Sequence, residues 1–155
     1  MTMTVPQVVD FVQEALLARV AGRDRHVLGM IEGLLAGSSA GNAWRVVTVM
    51  AGAAGESLPP EPGGQFVAFR PRMIGENGHV RDCSADELEP CERCFGRMAV
   101  AMANRDPDMA RDLFLGYVAG SRGNAAQLLA VGVNRVAHLV TCPACCPAGL
   151  RGWLR

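Results

Sequence analysis

Apolar residues recur at Val5, Val8, Val9, Val12, Leu16 and Val20, close to a 3.6-residue period. They follow Thr4-Val5-Pro6-Gln7, which has the Thr-x-x-Gln form of a capping box with proline in the first turn. The pattern predicts a helix ending near Gly22. A second helix starts at Asp24 and runs through Val27, Leu28, Ile31, Leu34 and Leu35 to Gly37, a natural C-terminal stop. A third covers Asn42 to about Ala53, with Trp44, Val47 and Met50 on one side.

The periodicity then breaks. Gly55 to Gly64 carries Pro59, Pro60 and Pro62 and reads as an extended connection. Gln65 to Arg70 contains Phe66, Val67, Ala68 and Phe69, a short strand-like run. Glu76-Asn77-Gly78 signals a tight turn that returns the chain as a small hairpin through His79 to Arg81.

Helical signals resume with Ser84-x-x-Glu87, a second capping-box pattern whose helix Pro90 limits to about a turn. Pro90 suits the start of the next helix, Cys91 to about Ala103. Asp106-Pro107-Asp108 is the clearest start in the chain, with a capping acid, proline and a second acid at the positive end of the dipole. That helix carries Met109, Leu113, Tyr117 and Val118 and stops at Gly120. A last helix runs from about Asn124 through Leu128, Leu129, Val136 and Leu139 to Thr141, where Cys142-Pro143 ends it.

The two helical stretches echo each other. Arg23-Asp24 recurs as Arg105-Asp106 and Gly41-Asn42-Ala43 as Gly123-Asn124-Ala125, both at an offset of 82; Ala36-Gly37-Ser38 recurs as Ala119-Gly120-Ser121 at 83. The expected fold is mainly α: duplicated three-helix units packed as one bundle, with an irregular insert containing a short β-hairpin. Residues 1–56 form the first unit, 57–90 the Pro/Gly-rich insert, and 91–155 the second unit with its Cys-rich C-terminus. Together they make one domain.

Composition narrows the function classes. The chain has 155 residues, half of them apolar, and its fifteen acids balance fifteen bases. That content excludes disorder, and the balance removes a net-charge argument for nucleic acid or an anionic membrane. No apolar run approaches the ~18 residues of a transmembrane helix, and the opening residues lack the basic lead and apolar core of a signal peptide. Every base is arginine. This is the mark of a GC-rich bacterial genome, and it excludes Schiff-base or P-loop chemistry, which needs lysine. The compartment expected is the bacterial cytoplasm.

All six cysteines lie in the second half. Cys91-Glu92-Arg93-Cys94 and Cys142-Pro143-Ala144-Cys145 are two C-x-x-C units, with Cys146 directly after the second and Cys83 and His79 upstream of the first. Paired C-x-x-C spacing in a cytosolic chain points to a metal, because two thiolates three residues apart can grip one ion at ~2.3 Å and four complete a tetrahedral shell. Zinc, in a structural role, is the expected ion. The pattern favours Cys91, Cys94, Cys142 and Cys145. In a plain up-down-up arrangement, however, a helix of about 14 residues would hold the pairs ~21 Å apart, so this set requires the last helix to cross the fourth steeply. The local alternative is His79, Cys83, Cys91 and Cys94, which leaves Cys142, Cys145 and Cys146 for a second ion, a neighbouring subunit or a disulfide.

These features predict a zinc-stapled, non-enzymatic interaction or regulatory module. Its partner is expected to be a protein or a second copy of the chain, with eight methionines and Ala/Gly-rich faces permitting close packing. Two alternatives stand beside it. A thiol-disulfide oxidoreductase or redox sensor would use a C-x-x-C pair, for which a helix N-terminus favours Cys91. A small nucleic-acid-binding regulator would use Arg93, Arg97, Arg105 and Arg111 with the terminal Arg151-Gly152-Trp153-Leu154-Arg155. His26 and His138 read as ordinary packed or solvated histidines. No hydrolase, P-loop or zinc-protease motif is present, so catalysis has no candidate beyond the thiols.

Overall fold

Each helix starts where local chemistry satisfies its first amides. A computed structural model describes residues 1–37 and 40–142 (for Arg122, the backbone only), and these described residues form six α-helices. Helix α1 is Val5–Val20, α2 Asp24–Ala36, α3 Ala40–Glu56, α4 Pro90–Ala103, α5 Pro107–Val118 and α6 Arg122–Thr141. At α1 the capping box closes from both sides: the Thr4 amide donates to Gln7 Oε1 at 2.8 Å, and the Gln7 amide donates to Thr4 Oγ1 at 3.5 Å. Asp106 caps α5 by accepting from the Met109 amide at 3.0 Å. The Ser84 pattern yields a single 3₁₀ turn, Ala85–Glu87, with the Ser84 amide donating to Glu87 Oε2 at 2.7 Å.

The insert departs from the expected strand. Pairing occurs between β1, Arg72–Ile74, and β2, Val80–Asp82, antiparallel with Met73 opposite Arg81. The apolar run Gln65–Arg70 joins no ladder. Instead the amide of Asn104, at the end of α4, takes the place of a strand neighbour. It accepts from the Val67 N–H at 2.7 Å and donates to the Val67 carbonyl at 2.8 Å. A side-chain amide carries the same donor and acceptor pair as a peptide, so a buried residue can satisfy its backbone without a strand.

The helices form one bundle with a single apolar core drawn from all six. Its largest fully buried side chains include Phe114, Leu16, Ile31, Met50, Met98, Leu128 and Leu129. Trp44 of α3 and Phe114 of α5 stack with centroids 5.4 Å apart, tilted by 53°, a geometry that contributes about 1 kcal/mol beyond area burial. Helix α3 approaches α4 most tightly at Gly55, where a Cβ would stand 2.6 Å from the Ala99 carbonyl oxygen.

The two halves pack alike. Within each, the first helix contacts the second and third; between them, α3 lies on α4 as α6 lies on α1, α2 meets α6 as α5 meets α3, and α3 packs on α6. Exchanging the halves leaves this set of contacts unchanged. The turns after α1 and α4 also match: the Arg23 amide donates to the Ala18 carbonyl at 2.8 Å and the Asp106 amide to the Ala101 carbonyl at 2.9 Å. The left-handed residue of that turn is Gly22 in one half, at φ +71°, and Arg105 in the other, at φ +58°. The backbone offset there is 83, so the Arg-Asp echo seen in the sequence is out of step with the structure by one residue.

Candidate functional site

Cys91 and Cys94 occupy the first turns of α4 on the side turned to α5. Cys94 is buried and donates its thiol to the Leu113 carbonyl at 3.6 Å. Burial pushes its pKa up to about 11, with Arg97 opposing the rise and Cys91 adding to it. Cys94 is therefore a neutral thiol at physiological pH. The same burial raises the nearby Tyr117, with Cys91 and Cys94 contributing after it.

The other predicted ligands lie elsewhere. Cys83 follows β2, half-buried, its amide bonded to the Pro71 carbonyl at 3.0 Å. His79 is exposed beside the hairpin turn. Cys142 caps α6, with its amide donating to the His138 carbonyl at 2.9 Å. Cys145, Cys146 and the terminal Arg151–Arg155 segment lie outside the described residues. Among the described residues, no three His, Cys, Asp or Glu side chains are grouped so as to hold a metal ion. One feature bears on the two-pair set. Glu92, next to Cys91, and Thr141, next to Cys142, line one depression, so the start of α4 and the end of α6 share an end of the bundle.

A concavity lies between the insert and the bundle. It has a volume of about 660 Å³, within the range of small-molecule sites. Helix α4 contributes Glu92, Phe95, Gly96 and Ala99; α6 contributes Arg135, His138 and Leu139; the end of α3 contributes Ala54, with Leu58 just beyond it. The insert supplies the opposite wall with Val67, Phe69, Arg72 and His79. Two contacts hold that wall at its distance, the Asn104 clamp on Val67 and the packing of Phe69 over Gly96, where a Cβ would sit 3.0 Å from the ring.

Charge inside the cleft is unevenly matched. Arg70 is held by Glu61 through both Nε and Nη2, and Arg72 pairs with Asp82 at 3.2 Å. Glu92 turns one oxygen back to the Glu89 amide at 3.1 Å. Arg135 is half-buried and donates to the Arg72 carbonyl, with no carboxylate partner among the described residues. One turn further along α6, burial lowers the pKa of His138, and Arg135 and then His79 lower it further. Arg135, His138 and His79 thus form one electropositive end of a largely apolar cleft.

Of this group the sequence singled out His79 alone, and as a metal ligand. Arg135, His138 and Leu139 share the i, i+3, i+4 spacing of one helical face, which was the available signal. What that face would meet depends on a segment more than fifty residues upstream. His26, also read as an ordinary residue, is exposed and bonded to Glu14 at 2.8 Å. No helix among the described residues is long and apolar enough to cross a membrane. Comparison with known protein families, curated proteins and solved structures finds no match to this chain.

Proposed function

We propose that the chain is a non-enzymatic binding module that takes a small, largely apolar molecule in the cleft between the insert and helices α4 and α6. The observation that carries this reading is the cleft itself: about 660 Å³, floored by Phe95, Ala99 and Leu139 and fringed at one end by convergent polar groups. Such a combination is the usual form of a ligand site. Burial keeps Cys94 protonated, so this thiol is not the nucleophile of the pair. Titration with the neutral fluorescent probe N-phenyl-1-naphthylamine tests the proposal. Saturable binding to the wild type, lost in Leu139→Trp with the helical circular dichroism retained, supports it. Absence of saturable binding, or binding unchanged by Leu139→Trp, overturns it.

A structural zinc held by Cys91, Cys94, Cys142 and Cys145 is a second reading, favoured by the depression that Glu92 and Thr141 both line. It asks Cys94 to release its bond to Leu113 and lose its proton, as every thiolate ligand must. Elemental analysis of chain expressed in zinc-supplemented medium decides it. One equivalent of zinc, lost in Cys91→Ser and in Cys145→Ser, supports this reading, and metal-free protein removes it.

A further inference from the structure

Resting on the reading of the cleft as a ligand site, we infer that its occupant is an amphipathic monocarboxylate, with the carboxylate on Arg135 and the apolar tail along Phe69, Phe95 and Leu139.

Charge counting leads to a single negative charge. Arg70 and Arg72 line the cleft but are neutralised by Glu61 and Asp82. Glu92, facing the same space from α4, repels a second negative charge and is tied to the Glu89 amide. The guanidinium of Arg135 uses one N–H on the Arg72 carbonyl and keeps donors for a planar acceptor. Held half-buried by its helix, it can offer a fork to a carboxylate with little further ordering. His138 and His79 line the cleft beside it. A dianionic phosphate would therefore exceed the positive charge on offer, whereas a monoanion matches it. Beside these groups the walls are mainly apolar, with Leu58, Val67, Phe69, Phe95, Ala99 and Leu139, which suits a hydrocarbon or aromatic tail.

Decanoate and decanol are matched probes, alike in tail and different in head group. Isothermal titration at neutral pH is expected to show decanoate binding tighter than decanol, although water releases the alcohol more readily to an apolar site. In Arg135→Gln, which removes the charge, decanoate affinity should fall about tenfold, as for loss of one charge-assisted hydrogen bond. Decanol affinity should stay within about twofold of wild type. Arg135→Lys should recover part of the loss.

Decanol equal to or tighter than decanoate, or decanoate binding unchanged in Arg135→Gln, overturns the carboxylate assignment and leaves the ligand cleft standing. Failure of both probes, together with failure of the naphthylamine titration, overturns the cleft as a site and this inference with it.

Discussion

The side-chain amide of Asn104 grips the backbone of Val67 at both its N–H and its C=O, 2.7 and 2.8 Å away, across 37 residues of chain. This pair fastens the insert to the end of α4 and so fixes one wall of the cleft. Asn42 does the same for the N-terminus, accepting from the Met3 amide at 2.8 Å and donating to the Met1 carbonyl at 2.9 Å.

Replacing Asn104 with alanine should strip both partners from a residue that is only 6% exposed. The expected cost is about 2 kcal/mol or more, from two backbone groups left without a bond. Hydrogen exchange should show the Val67 amide losing protection while the α3 and α6 amides keep theirs, and ligands of the cleft should bind less tightly. Asn104→Asp keeps the acceptor for Val67 N–H but faces the carbonyl with a second oxygen, so it should recover little.

Two helical glycines should respond in opposite directions. A Cβ at Gly55 meets the Ala99 carbonyl at 2.6 Å, and that oxygen belongs to a helix backbone that cannot move alone. Gly55→Val should lose about 1–3 kcal/mol by overpacking. Gly29, inside α2, has nothing within 4 Å of its Cβ direction. Gly29→Ala should gain up to about 1 kcal/mol from helix propensity and a less flexible unfolded chain. Urea titration of the two variants reads both signs.

The turn after α4 carries a strain that the turn after α1 avoids. Arg105 sits at φ +58° where its counterpart is Gly22 at +71°. Arg105→Gly should therefore stabilise the fold by about 1 kcal/mol, the scale of the left-handed penalty for a residue with a Cβ. A raised thermal midpoint with unchanged helical content checks it.

The buried thiol of Cys94 predicts a pH effect and a reactivity order. The native state holds its proton up to about 11, against an ordinary value of 9.0. Above pH 9 the unfolded chain ionises first, so the stability this thiol contributes is intact below that point. It is lost as the pH rises through about 11. Cys94→Ala should flatten the alkaline limb of the stability profile. In the native protein, iodoacetamide at pH 8 should label the half-buried Cys91 before Cys94, read by peptide mass spectrometry.

Much of the architecture was written in short-range pattern. Thr4, Asp106 and the Glu76-Asn77-Gly78 turn act within a few residues of themselves, so helix starts and the hairpin were legible, as was the mainly helical bundle with its inserted hairpin. The strand expected at Gln65–Arg70 shows where such reading stops. Its apolar residues do seek burial, but whether the segment pairs with a strand or with the amide of Asn104 depends on what folding brings alongside.

The candidate site was less legible for the same reason. Spacing pairs Cys91 with Cys94, yet their surroundings come from Leu113 and Tyr117 of α5, and burial there decides that Cys94 stays a neutral thiol. The cleft draws on α3, α4, α6 and the insert at once, and Arg135 becomes its unmatched cation only because folding pairs Asp82 with Arg72 and turns Glu92 back to the Glu89 amide. Hydrogen bonds within a helix turn are local and can be read from neighbours in the chain. Desolvation and charge matching are sums over everything nearby in space, and those sums exist only once the chain has folded.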